Sequence, residues 1–181
     1  MTCVMLDLET LGTRPDTVIL TFGAVKFNPF DADQRPGPAM YVRPDVDQQL
    51  ALGRSYDEDT LQWWTQQADD VREEALGDEN RIPVEQFMAD LNRFLVGVDE
   101  IWAQGPCFDI VILENLYQML AQPRPWNHWQ IRDSRTLFGV HGDPREKNKS
   151  GLHNALEDCV SQAQGVQKIY HRLGLKSRFS N

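Results

Sequence analysis

The chain has 181 residues, of which 41% are hydrophobic and 25% charged, with a formal net charge of −9. This is a globular composition that excludes a fibrous or disordered chain, and the length fits a single domain over residues 1–181. The longest apolar stretch, Val18 to Val25, is interrupted by Thr21 and Gly23 and falls far short of the roughly 20 residues a membrane span requires, so no membrane partner is expected.

Cys3–Leu8 is a short apolar strand pattern, and Val18–Phe27 reads as a second strand after a turn marked by Gly12, Pro15 and Asp16. Ala39–Val42 is a third strand, ended by Pro44. Asp57–Gln67 reads as a helix, with Leu61 and Trp64 three apart and Asp57 and Asp59 at its start, where the helix dipole favours acids. Val84–Leu95 is a second helix, following Pro83 and placing Phe87, Leu91, Phe94 and Leu95 at helical spacing. Glu100–Ala103 is a strand. Phe108–Leu120 is a helix, with Ile110, Leu113, Leu116, Tyr117 and Leu120 on one face and Pro123 and Pro125 beyond its end. Gln130–Arg132 reads as the fifth strand. Gly142–Gly151 is polar and basic and reads as a mobile loop, and Asn154–Leu173 is the final helix. This order predicts an α/β mixed sheet with helices packed on it. The N-terminus lacks the basic and apolar regions of a signal peptide, and three widely spaced cysteines (Cys3, Cys107 and Cys159) fit a reducing, cytoplasmic setting better than a disulfide framework.

Charge is unevenly distributed. Residues 1–123 carry a net −14 and residues 124–181 a net +5. The acidic total argues against nucleic acid as a partner, yet the segregation suits a chain that holds cations at one place and phosphate at another. Asp7 and Glu9 are two apart on the first strand, so they share a face, and two like charges on an apolar strand are costly to desolvate without a cation or hydrogen-bond donors. A hard divalent ion is the simplest neutraliser, while a wet strand end is the plain alternative. Asp109 opens a helix and Asp158 lies in the first turns of another. His153, five residues before Asp158, would sit about 140° from it on a regular helix, so the two converge more readily if His153 lies on the preceding loop or first turn. Four carboxylates and a histidine in this order suggest two-metal phosphoryl chemistry.

Asp7-Leu8-Glu9-Thr10, Asp109 after a strand and turn, and His153-x4-Asp158 resemble the DEDDh 3′-5′ exonucleases, the superfamily of the bacterial replicative proofreading subunit and ribonuclease T. LDLETLGTRPD (6–16), GRSYDEDTLQWW (53–64), PW followed by RDSRTL (125–137) and HNALEDC (153–159) are similar to the exoribonuclease family of mycobacterial ribonuclease AS and its phage and proteobacterial relatives. The resemblance implies a ribonuclease H-like α/β fold, here a mixed five-stranded sheet flanked by helices. It implies that Asp7, Glu9, Asp109 and Asp158 bind two divalent ions, Mg²⁺ or Mn²⁺, with His153 as general base. The substrate implied is single-stranded nucleic acid with a free 3′ end, RNA favoured, losing nucleoside 5′-monophosphates. Thr10 and Leu11 are expected to meet the terminal nucleotide and Trp64, rather than Trp63, to stack on a base. Phe108 is a further expected substrate contact, and Arg132, Asp133 and Arg135 either reach phosphates or brace the site. A homodimer is also implied. The rival readings are a single-stranded DNA exonuclease of proofreading or phage type, a ribonuclease H-type endonuclease, and a non-catalytic nucleic-acid-binding module.

Overall fold

The computed structural model describes residues 1–145 and 154–177. Among the described residues six strands form one sheet: β1 (Cys3–Thr10), β2 (Ile19–Phe27), β3 (Ala39–Pro44), β4 (Arg81–Ile82), β5 (Glu100–Ala103) and β6 (Ile131–Asp133). Their spatial order is β4-β3-β2-β1-β5-β6. β1, β2 and β3 form an antiparallel meander, while β5 and β6 continue the sheet parallel to β1. Seven α-helices flank it among the described residues: α1 (Val46–Ala51), α2 (Glu58–Thr65), α3 (Asp69–Leu76), α4 (Val84–Phe94), α5 (Pro106–Met119), α6 (Ser134–His141) and α7 (Ala155–Arg172). None of these is long and apolar enough to cross a membrane.

The sheet has six strands rather than the expected five. The extra strand, β4, spans two residues paired with Arg43 and Pro44, too short to show a period of its own. Three short helices also lie outside the expected set. α1 and α6 begin at Asp45 and Asp133, whose side chains accept backbone N–H groups of Gln48 and Arg135 and so satisfy otherwise orphaned helix donors. α3, with the sequence DDVREEAL, buries only Val71 and Ala75, too few apolar residues to announce a helix. Of the expected loop over 142–151, residues 142–145 follow α6 outside any helix or strand, and the remainder lies outside the described residues.

Alternation along β1 sorts the core into two layers. Val4, Leu6 and Leu8 face Phe87, Met88 and Leu91 of α4 and Leu113 and Leu116 of α5. Cys3 and Met5 face Cys159, Ala163, Val166 and Ile169 of α7. Asp7 and Glu9 continue the second series and so fall on the α7 side of the sheet. A third cluster, under the β1–β2 turn, joins Leu11, Val18 and Leu20 to Trp64 and to Val71 and Ala75 of α3.

How near α7 comes to the sheet is set by Gly23, the antiparallel partner of Asp7. A Cβ at Gly23 would lie 2.4 Å from the Ala155 carbonyl carbon and 2.5 Å from the Leu156 nitrogen, both main-chain atoms that cannot swing aside. Only glycine lets the first turn of α7 rest on the backbone of β2. The Cys159 thiol fastens the approach by donating to the Gly23 carbonyl oxygen at 3.2 Å. Asn154 caps the helix there, accepting from the N–H groups of Leu156 and Glu157. Gly23→Ala should therefore lift the start of α7 and destabilise the fold by about 1–3 kcal/mol, the usual range for overpacking. Urea unfolding checks this, and an unchanged midpoint would contradict the contact.

Candidate active site

The close seating of α7 brings Asp158 from its first turn over the end of β1. One carboxylate oxygen from each of Asp7, Glu9 and Asp158 lies within 4.8 Å of the others. Asp109 arrives from the opposite layer. β5 runs parallel beside β1, so the chain leaving β5 turns at Gly105, in the left-handed region with φ 106°, and starts α5 beside the end of β1. Buried Asp109 then accepts the Leu8 backbone N–H at 3.1 Å through Oδ1. Both layers of the protein thus deliver an acid to one strand end.

Clustering and burial suppress ionisation. Burial is the main cause that raises Asp7 well above the ordinary aspartate range, followed by the charges of Asp109, Glu9 and Asp158. Glu9 is pushed up to about 8, by burial first and then by Asp158 and Asp109. Asp109 rises to about 7 through burial, opposed by backbone hydrogen bonds and the Arg135 charge. A hard divalent cation fits this all-oxygen donor set and would offset both the desolvation and the mutual repulsion.

The remaining expected site residues divide. Phe108, half-buried at the start of α5, packs against the α4–α5 core one residue before Asp109. Arg135 is exposed beside the site; it donates to the Gln104 carbonyl oxygen at 2.9 Å and its guanidinium lies against Gly105. Thr10 is buried and its hydroxyl donates to the Gly12 carbonyl oxygen at 2.7 Å. Three expectations need correction. Leu11 is buried, with its N–H spent on the Val18 carbonyl oxygen, because the β1–β2 turn closes over it. Trp64 is only 1% exposed and donates its indole N–H to the Thr10 carbonyl oxygen at 2.9 Å, so it braces the end of β1 and has no face left for a base. Its neighbour Trp63, edge-on to Trp64, is the more exposed of the two at 42%. Arg132 is paired with Glu100 at 2.7 Å, beside Cys3 at the start of β1 and four residues along the strand from Asp7, so it is a structural ion pair away from the acids. Asp133, weighed as a phosphate or bracing group, caps α6 and also accepts the Gly105 N–H. His153 lies outside the described residues. Gly23 and Gln162 stand outside the sequence motifs; the amide of Gln162 donates to Asp7, and its sequence signal is its position one helical turn after Asp158.

A model of the Rv2179c-like 3′-5′ exoribonuclease domain matches residues 2–170. The chain belongs to that family. As an Rv2179c-like domain it is a member of the DEDDh 3′-5′ exonuclease superfamily and has the ribonuclease H-like fold. Among curated proteins, none matches the sequence. Among solved structures, Escherichia coli exonuclease I in complex with a dA16 oligonucleotide is similar with a TM-score of 0.62 and 18% identity, over 95% of this chain and 42% of that one. The zinc-bound form of the E. coli exonuclease I–single-stranded DNA complex gives a TM-score of 0.66 at 16% identity, over 94% and 40%. Cell-death related nuclease 4 gives 0.54 at 12% identity, over 96% and 64%. The Rv2179c-like domain thus spans less than half the length of the exonuclease I chains it resembles.

The raised acids set a pH dependence for the metal-free protein. Glu9 and Asp109 hold their protons to about pH 8 and about pH 7 when folded, against ordinary values of 4.5 and 3.8. Their protonated forms therefore stabilise the fold at low pH, and that contribution is lost as the pH rises through the folded values. In EDTA the melting temperature should fall between about pH 5 and about pH 8. Glu9→Gln should remove part of that fall, melting about 2–4 °C above the parent at the upper pH for each kcal/mol recovered, with the gap closing at the lower pH. A flat profile, or a variant that melts lower at the upper pH, would contradict the electrostatic account.

Proposed function

We propose that the protein is a divalent-metal-dependent 3′-5′ exoribonuclease that removes nucleoside 5′-monophosphates from the 3′ ends of single strands. The observation that carries this reading is the convergence of Asp7, Glu9 and Asp158 within 4.8 Å, with Asp109 held beside them on the Leu8 backbone. The preference for RNA rests on membership of an exoribonuclease family. The homodimer implied by the resemblance is not part of this proposal.

In this reading Asp7, Glu9, Asp109 and Asp158 hold two ions, Mg²⁺ or Mn²⁺. Bound there, they supply positive charge to the scissile phosphate and favour ionisation of the attacking water. The chain's own groups do the rest. His153 takes the proton from the water as general base, a role implied by the resemblance of His153-x4-Asp158 to the DEDDh motif. Trp63 offers its exposed ring to a base, a mode that suits unpaired strands and tolerates any sequence. Arg135 steadies a phosphate in this reading, supported by its exposure and by its charge acting on Asp109. Trp64 and Thr10 keep the end of β1 rigid, so the acids do not need to be gathered on each encounter.

Matched 5′-labelled RNA and DNA oligonucleotides, incubated with Mn²⁺ or with EDTA, test the proposal. RNA should shorten stepwise from its 3′ end only with metal, and DNA more slowly. Faster loss of DNA would reassign the substrate, internal fragments would indicate an endonuclease, and full-length strands in Mn²⁺ would leave a binding module. Asp7→Asn should abolish turnover, and His153→Ala should lower kcat by roughly 10²–10⁴-fold with little change in KM. Trp63→Ala should leave the melting temperature close to the parent but raise KM for single strands, losing the roughly 1–3 kcal/mol of one stacked base. An unchanged KM would remove Trp63 from the substrate path.

A further inference from the structure

Helix α7 buries two glutamines and uses them differently. Gln167, 2% exposed, donates its amide nitrogen to the carbonyl oxygens of Asn28, Asp31 and Gln34 at 3.0, 2.8 and 3.0 Å, pinning the β2–β3 loop to the helix. Gln162, 4% exposed, donates its nitrogen to Asp7 Oδ1 at 3.2 Å, and its own Oε1 is buried with no hydrogen-bond partner among the described residues. For the ionised Asp7 that would accept a metal, chemistry fixes that orientation. The flipped amide would set its oxygen against a carboxylate oxygen, two acceptors face to face. Gln162 therefore commits its donor end to Asp7 and leaves its acceptor end unsatisfied, an arrangement a purely structural core position avoids.

Asp7 stands among three other acids, and each repels its charge. A lysine at 162 would neutralise Asp7 but would also compete with a cation for it. A neutral amide fixes one oxygen of the carboxylate without adding positive charge. Because Gln162 lies one turn after Asp158, the helix that brings in Asp158 also orients Asp7.

We propose that Gln162 is a positioning residue for divalent-metal binding, holding the Asp7 carboxylate in its metal-accepting orientation through the amide hydrogen bond. The proposal rests on the reading of Asp7, Glu9 and Asp158 as metal ligands. Its test is calorimetric titration of Mn²⁺ into the parent, Gln162→Met, Gln162→Leu and Gln167→Met, with melting temperatures taken in EDTA. Gln162→Met should bind Mn²⁺ roughly 10–100-fold more weakly, as loss of a group that orients a metal ligand does, while melting no lower than the parent. Its kcat should recover when Mn²⁺ is raised by the same factor. Gln162→Leu, a second donor-free side chain, should behave alike and guards against a misfolded Met variant. Gln167→Met should show the reverse pattern, a lower melting temperature with unchanged Mn²⁺ affinity. Parent-like Mn²⁺ affinity in both Gln162 variants would overturn the proposal and leave the metal reading standing. Weakened affinity accompanied by a Gln167-like loss of stability would overturn it in favour of a structural role. If the parent itself binds no Mn²⁺, the metal reading falls and the proposal with it.

Discussion

The backbone of α7 lies on the backbone of β2, and the carboxylate cleft depends on that contact. Gly23 permits it by presenting no side chain where the Ala155 main chain passes. The Cys159 thiol and the Asn154 cap then fix the height and direction of the helix. Asp158 follows one turn in, and its distance to β1 is set by this packing rather than by any attraction among the acids, which repel one another. Burial of Ala163, Val166 and Ile169 against Met5 and Val25 supplies the free energy that holds like charges together.

Destabilisation of this kind is a common property of sites that bind cations. Glu9 and Asp109 keep protons at near-neutral pH because the fold removes them from water, a cost that Arg135 and the Leu8 N–H offset only in part at Asp109. Elsewhere the protein treats buried charge otherwise. Arg43 and Arg81 spend their guanidinium groups on backbone carbonyls around the end of α3, and Arg54 on the Thr17 carbonyl oxygen. Those arginines have partners and make structure. At the end of β1 the acids crowd one another instead, with the Leu8 N–H donating to Asp109 and the Gln162 amide to Asp7.

The parts legible in the sequence were those with a strong period or a strong chemical contrast. β5 over Glu100–Ala103 and α7 over Ala155–Arg172 follow from continuous or three-to-four apolar spacing. The placement of Asp7 and Glu9 on one face follows from strand alternation alone. Short elements such as β4, α1 and α6 depend on caps and neighbours and have no pattern of their own. The tryptophan pair shows another limit. Residues adjacent on a helix point about 100° apart, but which of the two meets the core is decided by the loop beneath it, and here Leu11 and Val18 claim Trp64. For Arg132, phosphate contact and bracing are equally open in the sequence; the β5–β6 pairing sets it across from Trp102, within reach of Glu100, and decides for an ion pair.

Crystals grown or soaked with Mn²⁺ and measured at the manganese absorption edge would test the central claim most directly. The account predicts anomalous peaks bounded by Asp7, Glu9, Asp109 and Asp158, two of them about 4 Å apart as in two-metal phosphodiester hydrolases. Manganese bound only at other surfaces, with these four carboxylates turned away from one another, would contradict it.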